Sequence, residues 1–272
     1  MKTVWPTVPR IIAIGDLHGD WNALTKCLKK AELINGKGNW IGGNTHLVQV
    51  GDILDRANRA PSARKDENSE FRIFGYLANL GIQAEQAGGR VHLVIGNHEI
   101  MNVLGDFSYV SKKGFQAFGS ISNRAEALKP GSPFATFLAN HATPALKIGT
   151  ILFAHAGPTP NVVNKYSING AKTAISNFLK GKTRYPDEME DLFWTRIYSD
   201  PSQNPSKALQ SLKYSLNKWK ASALVVGHTV QNKINSAYGG RLWKIDTGMS
   251  AAFPGGKIQI LEITLGKYFR VL

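Results

Sequence analysis

Five times in this chain a short apolar run gives way to a glycine-bearing turn whose side chains can bind metals or move protons. The fullest instance is VHLVIGNHEIMNVLGD, residues 91–106. Val91, Leu93, Val94 and Ile95 read as a buried, mostly β-branched strand that ends at Gly96. Asn97, His98 and Glu99 follow at once. A carboxamide, an imidazole and a carboxylate have no packing reason to sit at the lip of a core strand. They read as chemistry held on a turn, where glycine lets the backbone bend sharply.

The other four instances flank this one. A strand over Arg10–Ile14 runs into Gly15-Asp16-Leu17-His18-Gly19-Asp20. In an extended segment Asp16 and His18 share one face, as a common metal requires. Asp20 reads as the N-cap of an amphipathic helix over residues 21–33, with Trp21, Leu24, Leu28 and Ala31 at helical spacing. A strand over His46–Val50 runs into Gly51-Asp52-Ile53-Leu54-Asp55-Arg56, one over Ile151–Ala154 into His155-Ala156-Gly157, and one over Leu224–Val226 into Gly227-His228-Thr229.

Between these strands the pattern predicts a loop or hairpin over 35–45, a helix over 71–87, and helical segments over 107–143 broken at Gly114, Gly119 and Pro130. A hairpin follows around Gly149-Thr150, then helices near 168–180, 187–197 and 206–220, with a Pro/Ser break at 200–206. The tail is β-rich, with strands near 241–245, 257–264 and 268–272 and the phrase Lys244-Ile245-Asp246-Thr247-Gly248-Met249-Ser250. This alternation implies an α/β fold. With no repeat or long linker, residues 1–272 read as a single domain.

Several chemistry-bearing residues have structural readings. Cys27 lies beside the apolar stripe of its helix and has no activating neighbour in sequence, so it reads as core. His46 and His92 stand near the starts of their strands, away from the ligand-bearing ends, and His141 has no partner in sequence. Residues 57–69, ANRAPSARKDENS, read as a solvated loop, or else as a basic rim beside the site.

A formal net charge of +14 favours acidic substrates: phosphoproteins, nucleotides, RNA or anionic surfaces. Lysines recur at 26–30, 112–113, 180–184 and 213–220, which is compatible with an RNA partner or with solubility alone. The one cysteine excludes an internal disulfide and fits the cytoplasm or another reducing compartment. Residues 1–10 are too short and too proline-broken for a secretory signal, and no apolar run approaches the ~18 residues of a membrane span.

Collected, the strand ends offer Asp16, His18, Asp52, Asn97, His155 and His228. Two divalent metals need about this many oxygen and nitrogen ligands when one carboxylate bridges them and water fills the rest. The absence of cysteine from the set disfavours a closed zinc site and favours an open, catalytic one.

The blocks GDLHGD, GDILDR, GNHE, HAG and GHT, in this order, resemble the signatures of the metallophosphoesterase superfamily, in its phosphoprotein-phosphatase branch. GNHEIMNVLGDFSYV and IDTGMS are similar to the Shewanella-like, bacterial-type phosphatases, with diadenosine-tetraphosphatase-like enzymes as near kin. The resemblance covers roughly residues 10–250. Ala57 departs from the glycine usual after the second block, and the tyrosine-bearing C-terminal phrase of the eukaryotic toxin-sensitive enzymes is not evident.

The resemblance implies two mixed β-sheets sandwiched by helices, with a dinuclear metal site at the C-terminal ends of the strands. It makes Asp16 and His18 ligands of one metal, Asp52 the bridge, and Asn97, His155 and His228 the remaining ligands, one histidine per metal. His98 becomes the general acid, oriented by Asp55, and Arg56 a clamp on phosphate oxygens. Arg196, in LFWTRIYSD, resembles a second clamp, with a surface-helix arginine as its plain alternative. Glu99 reads as support for His98 or for the turn. The donor set is too oxygen-rich for zinc alone and too nitrogen-rich for magnesium, so manganese or an iron–zinc pair is expected. The implied activity is phosphomonoester hydrolysis, with phosphoprotein (Ser/Thr or Tyr) as substrate. The alternative within enzymes is a pyrophosphohydrolase acting on dinucleoside polyphosphates or capped RNA ends. A binding module that had lost its chemistry would show a damaged site, and every expected metal and acid position is filled.

Overall fold

A computed structural model of the chain describes residues 2–56, 66–200 and 204–272. The described strands form two mixed sheets. One has the order β12-β11-β2-β3-β4-β5, from β2 (Arg10–Ile14), β3 (His46–Gln49), β4 (Arg90–Val94), β5 (Ala142–Thr143), β11 (Leu261–Thr264) and β12 (Tyr268–Val271). The other runs β1-β6-β7-β8-β10-β9, from β1 (Val4–Trp5), β6 (Ala145–Ile148), β7 (Ile151–Ala154), β8 (Ala223–Val226), β9 (Asn235–Ala237) and β10 (Leu242–Lys244). Strands β2 to β5 are parallel, as are β7, β8 and β10.

The period of two explains the layering. Ile11 and Ala13 of β2 pack with Val48, Phe153, Val225 and Ile263 in a core shared by the two sheets. Their neighbours Ile12 and Ile14 turn the other way, into the helix-covered core with Leu24, Leu28, Leu77 and Leu80. Strands buried on both faces are apolar throughout, which is why they read as unbroken runs.

Helices flank the sheets: α1 (Trp21–Lys30), α2 (Glu70–Gln86), α3 (Asn97–Leu104), α4 (Lys112–Gln116), α5 (Ile121–Leu128), α6 (Pro133–His141), α7 (Pro160–Lys165), α8 (Ile168–Leu179), α9 (Glu190–Trp194) and α10 (Pro205–Lys218). Asp20 caps α1, its Oδ1 accepting from the Ala23 amide at 2.8 Å. That helix stops at Lys30 rather than 33, because Glu32 adopts φ 55° and Leu33 folds back onto the Leu28 carbonyl.

The turn expected at Asn97 is instead the first turn of α3. Gly96 is its extended N-cap, and Gly105, at φ 84°, closes it in the left-handed region. The helix expected over 187–197 is a 3₁₀ turn, Asp187–Met189, followed by the short α9; Thr195 is already extended. The tail strand expected at 257–264 is a strand over Leu261–Thr264. The elements β1, β5, β9 and α7 were not foreseen, and each is six residues or fewer, too short for a period to declare itself. Residues 57–65, which hold most of the loop or basic rim and Ala57, lie outside the described residues, as does part of the 200–206 break.

Candidate active site

The C-terminal ends of β2, β3 and β4 in one sheet and of β7, β8 and β10 in the other open toward the same place. Close backbone approach there demands glycine. A Cβ on Gly96 would fall 2.1 Å from Asp52 Oδ1, and one on Gly227 would fall 2.2 Å from Asp16 Oδ1. Four of the chemistry-bearing residues, His18, Asp52, Asp55 and His228, hold left-handed φ values of 43°, 57°, 70° and 69°. Non-glycine residues persist there only when surrounding contacts enforce them, as happens at functional sites. His18 therefore reaches the site from a turn, not from the extended segment its spacing implied.

Asp52 is the hub. Its Oδ2 lies 3.2 Å from His155 Nε2, 3.8 Å from His98 Nε2 and 3.9 Å from His18 Nε2. Asn97 Oδ1 lies 2.9 Å from His155 Nε2 and 3.0 Å from His228 Nδ1. His155 and His228 thus gather with Asn97 and Asp52, while His18 and His98 gather on Asp52 as a second group. Asp16 accepts from the His228 amide at 3.0 Å and is 1 % exposed.

Backbone carbonyls fix the ring tautomers. His18 Nδ1 donates to the Leu54 carbonyl at 3.0 Å and His155 Nδ1 to the Val50 carbonyl at 2.9 Å, so each turns its Nε2 inward. His228 Nε2 lies 3.3 Å from the Trp194 carbonyl, which leaves Nδ1 facing the cluster. Two ring nitrogens and a carboxamide oxygen then converge at 2.9–3.2 Å. Such a convergence fits a cation, and the donor set of two carboxylates, a carboxamide oxygen and three imidazoles fits two.

The charges respond to this crowding. Burial opposes a charge on His155, but the Asp52 and Asp16 carboxylates outweigh it and push the ring up to about 10. Burial, then the neighbouring His155, drives His228 down to about 3. Burial and then the Asp246 carboxylate hold the Asp16 carboxyl well above its ordinary range. Asp52 also suffers burial, but His155 and His98 hold it well below.

His98 Nδ1 lies 2.7 Å from Asp55 Oδ2, which leaves Nε2 facing the cavity. Glu99 does not touch that ring. It gathers the turn, accepting from the amides of Asp52, Ile53, Leu54 and Gly96 at 2.8–3.0 Å. Arg196, exposed and two residues past the end of α9, lines the cavity, with Nη1 3.0 Å from Thr229 Oγ1. Arg56 is 1 % exposed, with Nη1 3.2 Å from both the Asp20 carboxylate and the His18 carbonyl.

The cavity over this cluster is about 210 Å³. Tyr109, Trp194, Val230 and Phe253 form its apolar walls, and Asp246 lines it beside Asp16. Roomier cavities of about 510 Å³, such as one beside Trp5, Arg90 and His92, hold no comparable convergence of donors among the described residues. Sequence reasoning missed Asp246 as a wall residue, although its phrase had been singled out. It also missed Glu70, Asn102 and Arg124, which stand behind Asp55. None of those three follows a strand-ending glycine.

His46 and His92, read as structural, face each other at 3.0 Å beside Trp5, at the opposite ends of β3 and β4. His141 stacks on Phe137. Cys27 is buried against Met249, and its thiol is pushed up to about 12 by burial.

Residues 9–232 match the model of the calcineurin-like phosphoesterase family. The chain is 28% identical to Shewanella-like protein phosphatase 2 of Arabidopsis thaliana over all of this chain and 79% of that protein. It is 32% identical to Shewanella-like protein phosphatase 1 of Plasmodium berghei over 89% of this chain and 67% of that protein. The fold is similar to that of a cold-active protein-tyrosine phosphatase of a psychrophilic Shewanella species, at a TM-score of 0.79 and 23% identity, covering 100% of this chain and 82% of that one.

Proposed function

Because the chain belongs to the calcineurin-like phosphoesterase family, we propose that it is a phosphomonoesterase of phosphoproteins that holds two divalent cations, manganese or an iron–zinc pair. Hydrolysis of phosphoesters follows from the family and its phosphatase relatives. The observation that carries the finer reading is the convergence of His18, His98 and His155 on one oxygen of Asp52, with Asp55 hydrogen-bonded behind His98.

Asp16, His18 and Asp52 would hold one cation, and Asp52, Asn97, His155 and His228 the other. When bound, such a pair neutralises phosphate oxygens and acidifies the attacking water. Arg196 grips the remaining phosphate oxygens from the cavity wall, where a planar guanidinium can engage two at once. His98 gives a proton from Nε2 to the departing oxygen, while Asp55 holds the ring in the orientation that step needs. Tyr109, which meets the His98 ring edge-on at 5.0 Å, and Phe253, 5.5 Å from the His18 ring, limit access of bulk water. Arg56 ties the His18 turn to the cap of α1.

Apolar and aromatic walls around a small cavity support an aryl leaving group, so phosphotyrosine is the preferred phosphoresidue in this reading. The experiment is product analysis with manganese-loaded protein on a phosphotyrosyl peptide, a phosphoseryl peptide, a dinucleoside polyphosphate and a capped RNA. Inorganic phosphate should be released fastest from the phosphotyrosyl peptide. Efficient cleavage of the dinucleoside polyphosphate or capped RNA with negligible turnover of both peptides would move the protein to the pyrophosphohydrolase reading.

A further inference from the structure

We propose that Arg124, on α5, is a positioning residue that sets the proton donor through Asn102, Glu70 and Asp55; the inference rests on the reading of His98 as that donor. Arg124 is fully buried, at 0 % exposure. Each of its five guanidinium N–H donors has an acceptor. Nε and Nη2 donate to Asn102 Oδ1 at 3.0 and 2.7 Å, Nη1 and Nη2 to Glu70 Oε2 at 3.3 and 3.2 Å, and Nη1 also to the Gly114 carbonyl at 3.1 Å.

Both residues that Arg124 grips act on Asp55. Asn102 Nδ2 donates to Asp55 Oδ1 at 2.9 Å and to the His98 carbonyl at the same distance. Glu70 Oε1 accepts from the Asp55 amide at 2.7 Å, and Arg124 Nη2 lies 3.8 Å from Asp55 Oδ1. Asp55 is held at φ 70°, a conformation that persists only while its surroundings enforce it. The other carboxylate oxygen, Oδ2, meets His98 Nδ1. The backbone of Asp55, one carboxylate oxygen and the carbonyl of His98 are therefore fixed by groups that Arg124 organises.

Charge points the same way. Burying a guanidinium costs several kcal/mol unless it is fully paired. Here it is paired and also walled by Phe71, Phe107 and Phe118, with ring centroids at 5.3–5.9 Å. A helix arginine needed only for solubility would lie outside. A lysine could not replace it, because its donors are not arranged as a planar fork.

A positioning role predicts an effect that grows with the leaving group's need for a proton. The test measures kcat on para-nitrophenyl phosphate, whose leaving group departs readily without a proton, and on phenyl phosphate, whose leaving group does not. It compares wild type, His98→Asn, Arg124→Gln, Asn102→Ala and the double variant His98→Asn/Arg124→Gln, with bound manganese measured alongside. Arg124→Gln should slow phenyl phosphate by about 10–100-fold, slow para-nitrophenyl phosphate far less, and cost nothing further once His98 is Asn. If Arg124→Gln fails to fold, Asn102→Ala must show the same selectivity. Equal slowing of both substrates by the Arg124 or Asn102 variant, while His98→Asn remains selective, would overturn the role of Arg124 alone. Equal slowing by His98→Asn itself would remove the proton-donor reading, and the role of Arg124 with it.

Discussion

His98 and Asp55 are joined by a 2.7 Å hydrogen bond from Nδ1 to Oδ2, and the opposite nitrogen of the imidazole lies 3.8 Å from Asp52. The Nε2 side of the ring therefore faces the cavity. Asp55→Asn should lower kcat by about 10–100-fold with no change in bound metal, because Asp55 touches the ring and not the donor cluster. Kinetics and metal analysis on one preparation check this, and a loss of metal would place Asp55 in the donor set instead.

Arg196 and Arg56 make opposite predictions. Arg196→Lys keeps the charge on the cavity wall but loses the planar fork, so kcat/KM on a phosphopeptide should fall. Arg56→Lys should act mainly on the thermal midpoint, since Arg56 pairs with Asp20 and the His18 carbonyl. Unaltered kcat/KM for Arg196→Lys, with a large loss for Arg56→Lys, would return the clamp to Arg56.

Glu99 holds the Asp52 turn by four amide hydrogen bonds. A Glu99→Gln side chain would turn a donor toward some of those amides. Manganese affinity should fall by about 10–100-fold, as for other groups that orient ligands without being ligands. Titration of the stripped protein with manganese reads this directly, and an unchanged affinity would mean the turn is fixed by other contacts.

The pair His46 and His92 predicts an acid-sensitive fold. Burial, then Arg90, lowers His46 from 6.5 to about 4, and burial, then His46, lowers His92 to about 3. Below pH 6.5 the unfolded chain takes up protons that the folded rings refuse, so stability falls as pH drops from there toward 4 and 3. The thermal midpoint of His92→Gln should fall less steeply over this window than that of wild type. Equal slopes would show that the pair does not govern acid unfolding.

Much of this was legible in the chain because strands buried on both faces announce themselves as apolar runs, and because the ligands follow those runs directly. Asp16, His18, Asp52, Asn97, His155 and His228 come together from five separate strand ends for that reason. Arg124 was not legible: ISNRAEAL reads as an ordinary surface helix, and its partner Asn102 is 22 positions away in another element. Arg196 was legible only as a short phrase, and its side was decided by the end of α9 at Trp194, after which extended backbone turns it to the cavity. The pairing of Arg56 was not legible either, since sequence cannot reveal that Asp20 engages both a helix amide and a guanidinium.

If one cluster holds the metals while His98 supplies the proton, metal content and turnover must part company between variants of the two. Wild-type protein loaded with manganese should carry two ions per chain and lose activity when stripped. His98→Asn should keep both ions and lose about 10²–10⁴-fold in kcat on phenyl phosphate, whereas Asp52→Asn should lose metal and activity together. Full turnover by stripped wild type, or a His98→Asn protein that loses its ions, would contradict the account.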